Sequence, residues 1–336
     1  MDLSINYLGL RLKNPIIAGA SNLSTDVKKA LELQEAGVSA IVYKSLFEEQ
    51  LHLEAAQMHD DMHEYDDRHA EMINLFPDIK HSGPKAHLMA LKALKEALFI
   101  PVIASLNCLY KESWDEYAQH LAGTGIDALE LNFYSTITDA QQTPGSIEDE
   151  QVEILKRVIA KVKIPVSVKL SPYYTNPLSF IKKLDGAGAS GFVLFNRLFQ
   201  PDINIWDETL EMPYNLSQDG DNRLSLRYMG LLSRQVKGSL CANTGFLDGK
   251  DIVAALLAGA DAVQVVSTIY KNGTHVISRM LDEINGWMQQ KGYQSLSDFK
   301  GKLSKERLKE PHAYQRAQYV DFLMKAKEYI NKYPVN

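Results

Sequence analysis

The apolar positions of this chain fall into short runs opened by one recurring phrase: a helix end, a glycine, a small or acidic residue, then the run. It occurs at Ala36-Gly37-Val38-Ser39-Ala40-Ile41-Val42 and at Thr124-Gly125-Ile126-Asp127-Ala128-Leu129. It returns at Ala187-Gly188-Ala189-Ser190-Gly191-Phe192-Val193 and at Ala258-Gly259-Ala260-Asp261-Ala262-Val263. Glycine closes a helix because it enters the left-handed conformation without a Cβ penalty. The runs that follow lack clean alternation, the pattern of parallel strands covered on both faces. A second opening interleaves with the first, at Asn14-Pro15-Ile16-Ile17, Ile100-Pro101-Val102-Ile103 and Ile164-Pro165-Val166. Proline is tolerated at the first residue of a strand, where its missing N–H costs no ladder bond.

With the run around Leu240, the pattern predicts eight strands, near residues 16–20, 39–44, 101–106, 127–132, 165–170, 191–196, 239–243 and 261–266. Helical spacing fills most gaps, as at Asp26–Glu35, Asp115–Leu121 and Asp149–Val162. Eight strands alternating with helices predict an α/β fold of the (β/α)8 TIM-barrel type, with an open doubly wound sheet as the alternative. Two long polar segments, 46–86 and 197–224, interrupt the repeat. Both follow strands, so both are expected as long loops at the C-terminal face, where barrel enzymes keep their active sites. The expected organisation is one barrel domain over residues 1–303. Residues 304–336 are expected as an extra C-terminal helix packed on the barrel, with Tyr314, Tyr319, Phe322, Leu323 and Tyr329 on its apolar side.

The 336 residues suit one barrel with insertions, and 45% hydrophobic with 23% charged residues is an ordinary composition. A net charge of −6 gives no reason to expect nucleic acid or an anionic membrane as partner. The apolar runs are strand-sized, short of the roughly 20 residues of a membrane span, and Met-Asp-Leu-Ser does not open a signal series. Two cysteines, Cys108 and Cys241, make neither a disulfide framework nor a zinc knuckle. A reducing cytoplasm fits all of this.

The polar residues at the strand ends carry the candidate chemistry: Lys44-Ser45, Asn107, Asn132, Lys169, Asn196, Asn243-Thr244-Gly245 and Ser267-Thr268. Two lysines and several carboxamides converge there, with no carboxylate cluster and no metal triad. Asn offers a donor and an acceptor together, and Lys stabilises a developing negative charge. The set suits a heterocycle with carbonyl and N–H groups, such as a flavin whose anionic reduced form a lysine would favour. Gly245 and the Ser267-Thr268 backbone before a helix predict a phosphate site.

These residues bring the chain into resemblance with the dihydroorotate dehydrogenases, especially the soluble class, over nearly its full length to about Leu303. The motifs are Leu12-Lys13-Asn14-Pro15, Lys44-Ser45, Glu130-Leu131-Asn132, Val168-Lys169-Leu170-Ser171-Pro172 and Thr244-Gly245-Phe246. Gln290-Lys291-Gly292-Tyr293-Gln294-Ser295 and Asp298-Phe299-Lys300-Gly301-Lys302-Leu303 complete the series. The resemblance implies an FMN-dependent oxidation of dihydroorotate to orotate, a step of pyrimidine biosynthesis. A base takes a proton from C5 while hydride passes from C6 to flavin N5. It implies FMN contacts at Lys44, Asn132 and Lys169, with Ala20 and Ser45 beneath the ring and Gly245, Ser267 and Thr268 at the phosphate. Asn107, Asn243 and Thr244 fall beside these. Substrate contacts fall on Asn74, Asn132, Asn196 and Arg197, and the base position on Ser135, with Lys44 beside it in the chemistry. A serine hydroxyl is a poor base alone and needs a relay to water or to a neighbour such as Thr136. The resemblance also implies a homodimer and a soluble electron acceptor, either fumarate or NAD through a separate subunit.

The departures concern the substrate. The family's Asn-x-Ser-Cys/Ser-Pro-Asn element reads Asn132-Phe133-Tyr134-Ser135-Thr136-Ile137, without the proline and the second asparagine. The substrate loop reads Asn74-Leu75-Phe76-Pro77, and Arg197 stands where a small residue is usual. Arg197 could grip a substrate carboxylate bidentately or pair with the acidic 202–221 loop. Three rival readings follow. His59-Asp60-Asp61-Met62-His63 has the i, i+4 imidazoles of a zinc helix but Asp60 in place of the glutamate, and polar helix surface explains it better, so no metal is expected. Lys169 at a strand end could serve a Schiff-base aldolase. The altered Ser135 segment would also suit an oxidoreductase of another dihydropyrimidine, or a flavin-binding paralogue without dihydroorotate activity.

Overall fold

A computed structural model of the chain describes residues 1–51, 84–134, 139–213, 216–310, 314–315, 317–325 and 328. All eight expected strands are present: β3 (Ile16–Ala18), β4 (Ala40–Val42), β6 (Val102–Asn107) and β7 (Ala128–Asn132) form the first half. β8 (Val166–Leu170), β9 (Gly191–Leu194), β12 (Ser239–Ala242) and β13 (Ala262–Val265) form the second. They pair in parallel around a full circle, which β4 closes by pairing with both β3 and β6, so the sheet is a barrel and not an open sheet. A two-residue strand, β5 (Leu46–Phe47), extends the edge beside Leu106 and Asn107.

The helices begin and end where local chemistry requires. Asp26 caps Val27–Ala36 by accepting from the Lys28 N–H, and Gly37 ends it at φ 112°. Thr143 and Ser146 form a capping box around Pro144 at the start of Pro144–Lys161. That helix starts ahead of the apolar spacing at Asp149–Val162, because its first turn is polar and is set by the cap.

Two hairpins stand outside the eightfold repeat. β1 (Ile5–Tyr7) and β2 (Leu10–Leu12) pair antiparallel around Leu8 and Gly9, both at positive φ, as a two-residue hairpin turn requires. Fully buried Tyr7 belongs to the apolar cluster at the strand starts, with Ile17, Val42, Ile103, Ala128, Val193 and Cys241. The hairpin therefore plugs the N-terminal end of the barrel. Within the segment expected as a long loop, β10 (Asp202–Asn204) and β11 (Thr209–Glu211) form a second antiparallel pair.

Above the plug the barrel interior turns polar. Successive inward residues lie two apart along a strand, and the files read Ala128, Glu130, Asn132 on β7, Ile103, Ser105, Asn107 on β6, and Ala262, Gln264 on β13. All eight are buried. Beyond residue 303, Ser304 is fully buried and the Lys305 N–H donates to the Gly230 carbonyl. Tyr314 lies directly over Gly230 of the helix Arg223–Leu232, and its hydroxyl donates to the Leu303 carbonyl. The helix Ala317–Met324 follows, with Tyr319, Leu323 and Met324 exposed.

Candidate active site

The inward files end in a cavity of about 320 Å³ at the C-terminal mouth, within the roughly 300–1,000 Å³ usual for small-molecule sites. Lys44 and Ser45 reach it from the end of β4, Asn132 from β7 and Lys169 from β8. Asn196 and Arg197 follow β9, Asn243, Thr244 and Gly245 follow β12, and Ser267 follows β13, with Ala20 after β3. Eleven of the expected site residues thus line one space.

The carboxamides are linked side to side. Asn196 Nδ2 donates to Asn132 Oδ1 at 2.6 Å, and Asn132 Nδ2 donates to Ser45 Oγ at 3.4 Å. Ser45 Oγ in turn shares a hydrogen with Ser105 Oγ at 2.7 Å. Asn243 Nδ2 and Thr244 Oγ1 both donate to the Phe195 carbonyl, at 2.8 and 2.9 Å. Side chains tied in this way keep their remaining polar atoms at fixed places in the cavity.

Two expected residues stand behind the wall. Asn107 Nδ2 donates to the Asn132 and Tyr134 carbonyls, at 2.7 and 2.9 Å, so it braces the turn after β7. Thr268 is fully buried, and its hydroxyl donates to the Leu247 carbonyl at 2.8 Å. Ser135 and Asn74 lie outside the described residues, as do His59 and His63. Among the described residues no cluster of three or more His, Cys, Asp or Glu is placed to hold a metal ion.

Arg197 adopts the second of its two readings: its guanidinium pairs with Asp221 and approaches Ser217 Oγ at 3.5 Å. Burial opposes the charge of Asp221. The Gln218 N–H and the Arg197 guanidinium outweigh that and hold the carboxyl below its ordinary range. The same loop is fixed from below. The Ser217 N–H donates to Ser267 Oγ at 2.9 Å, and Lys271 Nζ donates to the Ser217 carbonyl at 2.6 Å.

The lining contains residues the strand-end reading did not single out: Phe47, Tyr134, Phe199, Ser217 and Gln264. Tyr134 Oη accepts from the Phe199 N–H at 3.3 Å, which ties the turn after β7 to the overhanging loop. Gln264 was legible in principle. It is polar, sits in an apolar strand, and is two residues beyond Ala262 on the inward file.

The residues fit a flavin mononucleotide. Lys44, Lys169 and the carboxamides present the donors and acceptors that an isoalloxazine edge needs. The buried Gln264 Oε1 has no hydrogen-bond partner, an acceptor left for a bound N–H. At the phosphate end, Gly245 has φ 83°, and a Cβ there would lie 2.4 Å from the Asn222 nitrogen. No hydrogen bond within the described residues engages the N–H groups of Gly245, Phe246 or Ser267, the arrangement an anion requires.

The family model described as dihydroorotate dehydrogenase matches residues 2–288 of the chain. The NAD-linked dihydroorotate dehydrogenase B catalytic subunit of Thermoplasma volcanium is 26% identical over 305 residues, 89% of this chain and 98% of that protein. The corresponding subunit of Shouchella clausii is 23% identical over 306 residues, 89% and 97% of the two chains. The fumarate-linked dihydroorotate dehydrogenase A of Lactobacillus helveticus is 22% identical over 209 residues, 61% and 68% of the two.

Proposed function

Because the chain belongs to the dihydroorotate dehydrogenase family, an oxidoreductase family, we propose that it binds FMN at the barrel mouth and oxidises dihydroorotate, or a closely related dihydropyrimidine. The observation that carries this reading is the convergence of Lys44, Lys169 and the linked carboxamides of Asn132 and Asn196 on one cavity. When bound, FMN supplies a two-electron acceptor for a CH–CH donor.

The chain's own residues then divide the work. Lys169 and Lys44 put positive charge into the cavity, where it would stabilise the negative charge of a reduced flavin. Ala20 and Ser45, in the cavity lining, would support the ring. Gly245 and Ser267 hold the phosphate through backbone N–H groups, a contact indifferent to side-chain identity. Asn132 and Asn196 face the substrate's amide groups, and the 2.6 Å bond between them sets which atoms each presents. Ser135 removes the substrate proton through a relay, since its hydroxyl alone is too weak a base at neutral pH. Arg197, paired with Asp221, holds the overhanging segment against the cavity, so that its position shapes the substrate side of the site. The electron acceptor is small and soluble: fumarate, or NAD through a separate subunit.

Tyr134 and Arg197 in the lining favour the related-dihydropyrimidine arm, since both differ from the small residues usual there. Family membership gives the Schiff-base reading of Lys169 no support. No described helix is long and apolar enough to cross a membrane.

The test is the visible spectrum of the purified protein, followed by anaerobic dihydroorotate. Oxidised-flavin bands that dihydroorotate bleaches are the expected result. A yellow protein that only another dihydropyrimidine bleaches moves the substrate and keeps the cofactor. A protein that neither carries nor takes up FMN ends the reading.

A further inference from the structure

Beneath Lys169 the barrel interior holds a carboxylate that the reading above does not use. The Glu130 side chain is 1% exposed and that of Lys169 10%. Oε2 of Glu130 accepts from Gln264 Nε2 across the barrel at 2.6 Å. Oε1 has no hydrogen-bond partner and lies 4.0 Å from Lys169 Nζ.

A carboxylate taken out of water costs several kcal/mol unless a cation and hydrogen bonds offset it. One neutral amide donor is a weak offset for a group this deep. Lys169 is the cation that faces it. At 4.0 Å the two groups attract, but they do not form a hydrogen bond. Lys169 therefore stays drawn toward Glu130 while it lines the cavity, with no donor spent on that carboxylate. β7 and β8 fix this arrangement, because the ladder aligns Asn132 with Lys169 and Glu130 with Ser167. Glu130 thus stands one inward position below Lys169, on the neighbouring strand.

We propose that Glu130 is the positioning residue of Lys169. It anchors the ammonium at the edge of the bound flavin and offsets part of its charge, so that the pair sets the flavin's reduction potential. The proposal rests on the FMN reading above. A carboxylate in the floor restrains the pull of Lys169 on the negative charge of the reduced ring. Losing that carboxylate charge, with its shape kept, favours the reduced form.

The experiment is the reduction potential of the FMN-loaded protein, titrated anaerobically against reference dyes, for wild type, Glu130→Gln, Lys169→Gln and the double variant. Glu130→Gln is expected to favour reduced flavin at least tenfold, about 30 mV for a two-electron couple. In the Lys169→Gln background the same change is expected to shift the ratio less than threefold. An FMN-loaded Glu130→Gln protein within twofold of wild type overturns the proposal, as does an equal shift in both backgrounds. Either result leaves FMN binding standing. A wild-type protein that takes up no FMN overturns the underlying reading, and this proposal with it. Should Glu130→Gln not fold, denaturation decides: removing both charges together is tolerated where removing one is not. The double variant is then expected to be more stable than Lys169→Gln, and equal or lower stability overturns the pairing.

Discussion

The strand ends beneath the cavity and the Asn196–Asp221 segment that overhangs it line the same space, yet they are held in different ways. Below, Asn132, Lys169, Asn243 and Gln264 are buried on or just beyond strands paired on both sides, and their neighbours fix their side chains. Above, the segment runs out to the β10–β11 hairpin, whose Ile203, Ile205, Trp206 and Leu210 stand in solvent, Trp206 at 88% exposure. It returns to the mouth on a few polar ties: Arg197 to Asp221, Ser217 to Ser267, and Lys271 to Ser217. A floor built into the ladder cannot shift a side chain without disturbing the barrel. A rim held by a few ties can change its residues while the floor stays. Two departures from the family's pattern belong to this rim: Arg197 lies in the overhanging segment, and Tyr134 is tied to it through the Phe199 N–H. The family's lysines are kept in the floor, where the cofactor would lie.

The widest separation between the two regions is expected from Ser135→Ala. As the proposed base it should slow bleaching of the flavin by dihydroorotate by roughly 100-fold or more, the usual range for losing a general base. FMN content should be unchanged. Stopped-flow absorbance measures the first quantity and the spectrum of the desalted protein the second. Equal bleaching rates in wild type and variant would move the base elsewhere on the rim.

Next in size are the floor lysines. Lys169→Gln removes a charge-assisted contact worth about 1.5–3 kcal/mol, so FMN should bind roughly tenfold to a hundredfold more weakly in a fluorescence-quenching titration. Lys44→Gln should act in the same direction. If neither change weakens FMN while a rim change does, the division between floor and rim fails. Gly245→Ala should come close behind. It combines an unfavourable positive φ, about 1–2 kcal/mol for a residue with a Cβ, with a methyl group 2.4 Å from the Asn222 nitrogen. Reduced FMN retention on gel filtration is the expected outcome.

The same contrast decides what could be read from the sequence. The alternation of strands and helices is legible because Gly37, Gly125, Gly188 and Gly259 follow helices in four copies of one phrase, at φ of 112°, 86°, 103° and 125°. The mouth was legible because polar residues after apolar runs can only gather at the C-terminal face. Glu130 enters the sequence reading only as part of a motif, with no role, and Gln264 does not enter it at all, because both sit inside the runs. In a strand buried on both faces a polar residue every second position looks like interruption, until the inward file is known to rise from apolar to polar. The β10–β11 hairpin was hidden for the opposite reason. Its Asp, Asn and Glu residues read as loop, and its apolar residues point away from the barrel, so they join no core pattern. Position alone groups Asn107 and Thr268 with the lining, but both are buried and their donors are spent on backbone carbonyls, which makes them braces.

The smallest effect tests the tie that holds the rim. Asp221 and Arg197 are each about one-third exposed, and a pair so open to water contributes at most about 1 kcal/mol. Asp221→Asn should therefore raise KM for dihydroorotate by up to roughly fivefold at neutral pH, with kcat nearly unchanged and FMN affinity unaffected. The pH dependence has a definite sign. The Asp221 carboxyl is held below its ordinary range in the folded protein, so the tie is fully present above that range. It is lost as the pH falls through the lowered value. The difference between wild type and Asp221→Asn should accordingly shrink as the pH is lowered, because the wild-type side chain becomes neutral as well. A difference that stays constant down to low pH would mean that the carboxylate charge does not hold Arg197. The hydrogen bonds of the 217–221 turn would then position the rim by shape alone.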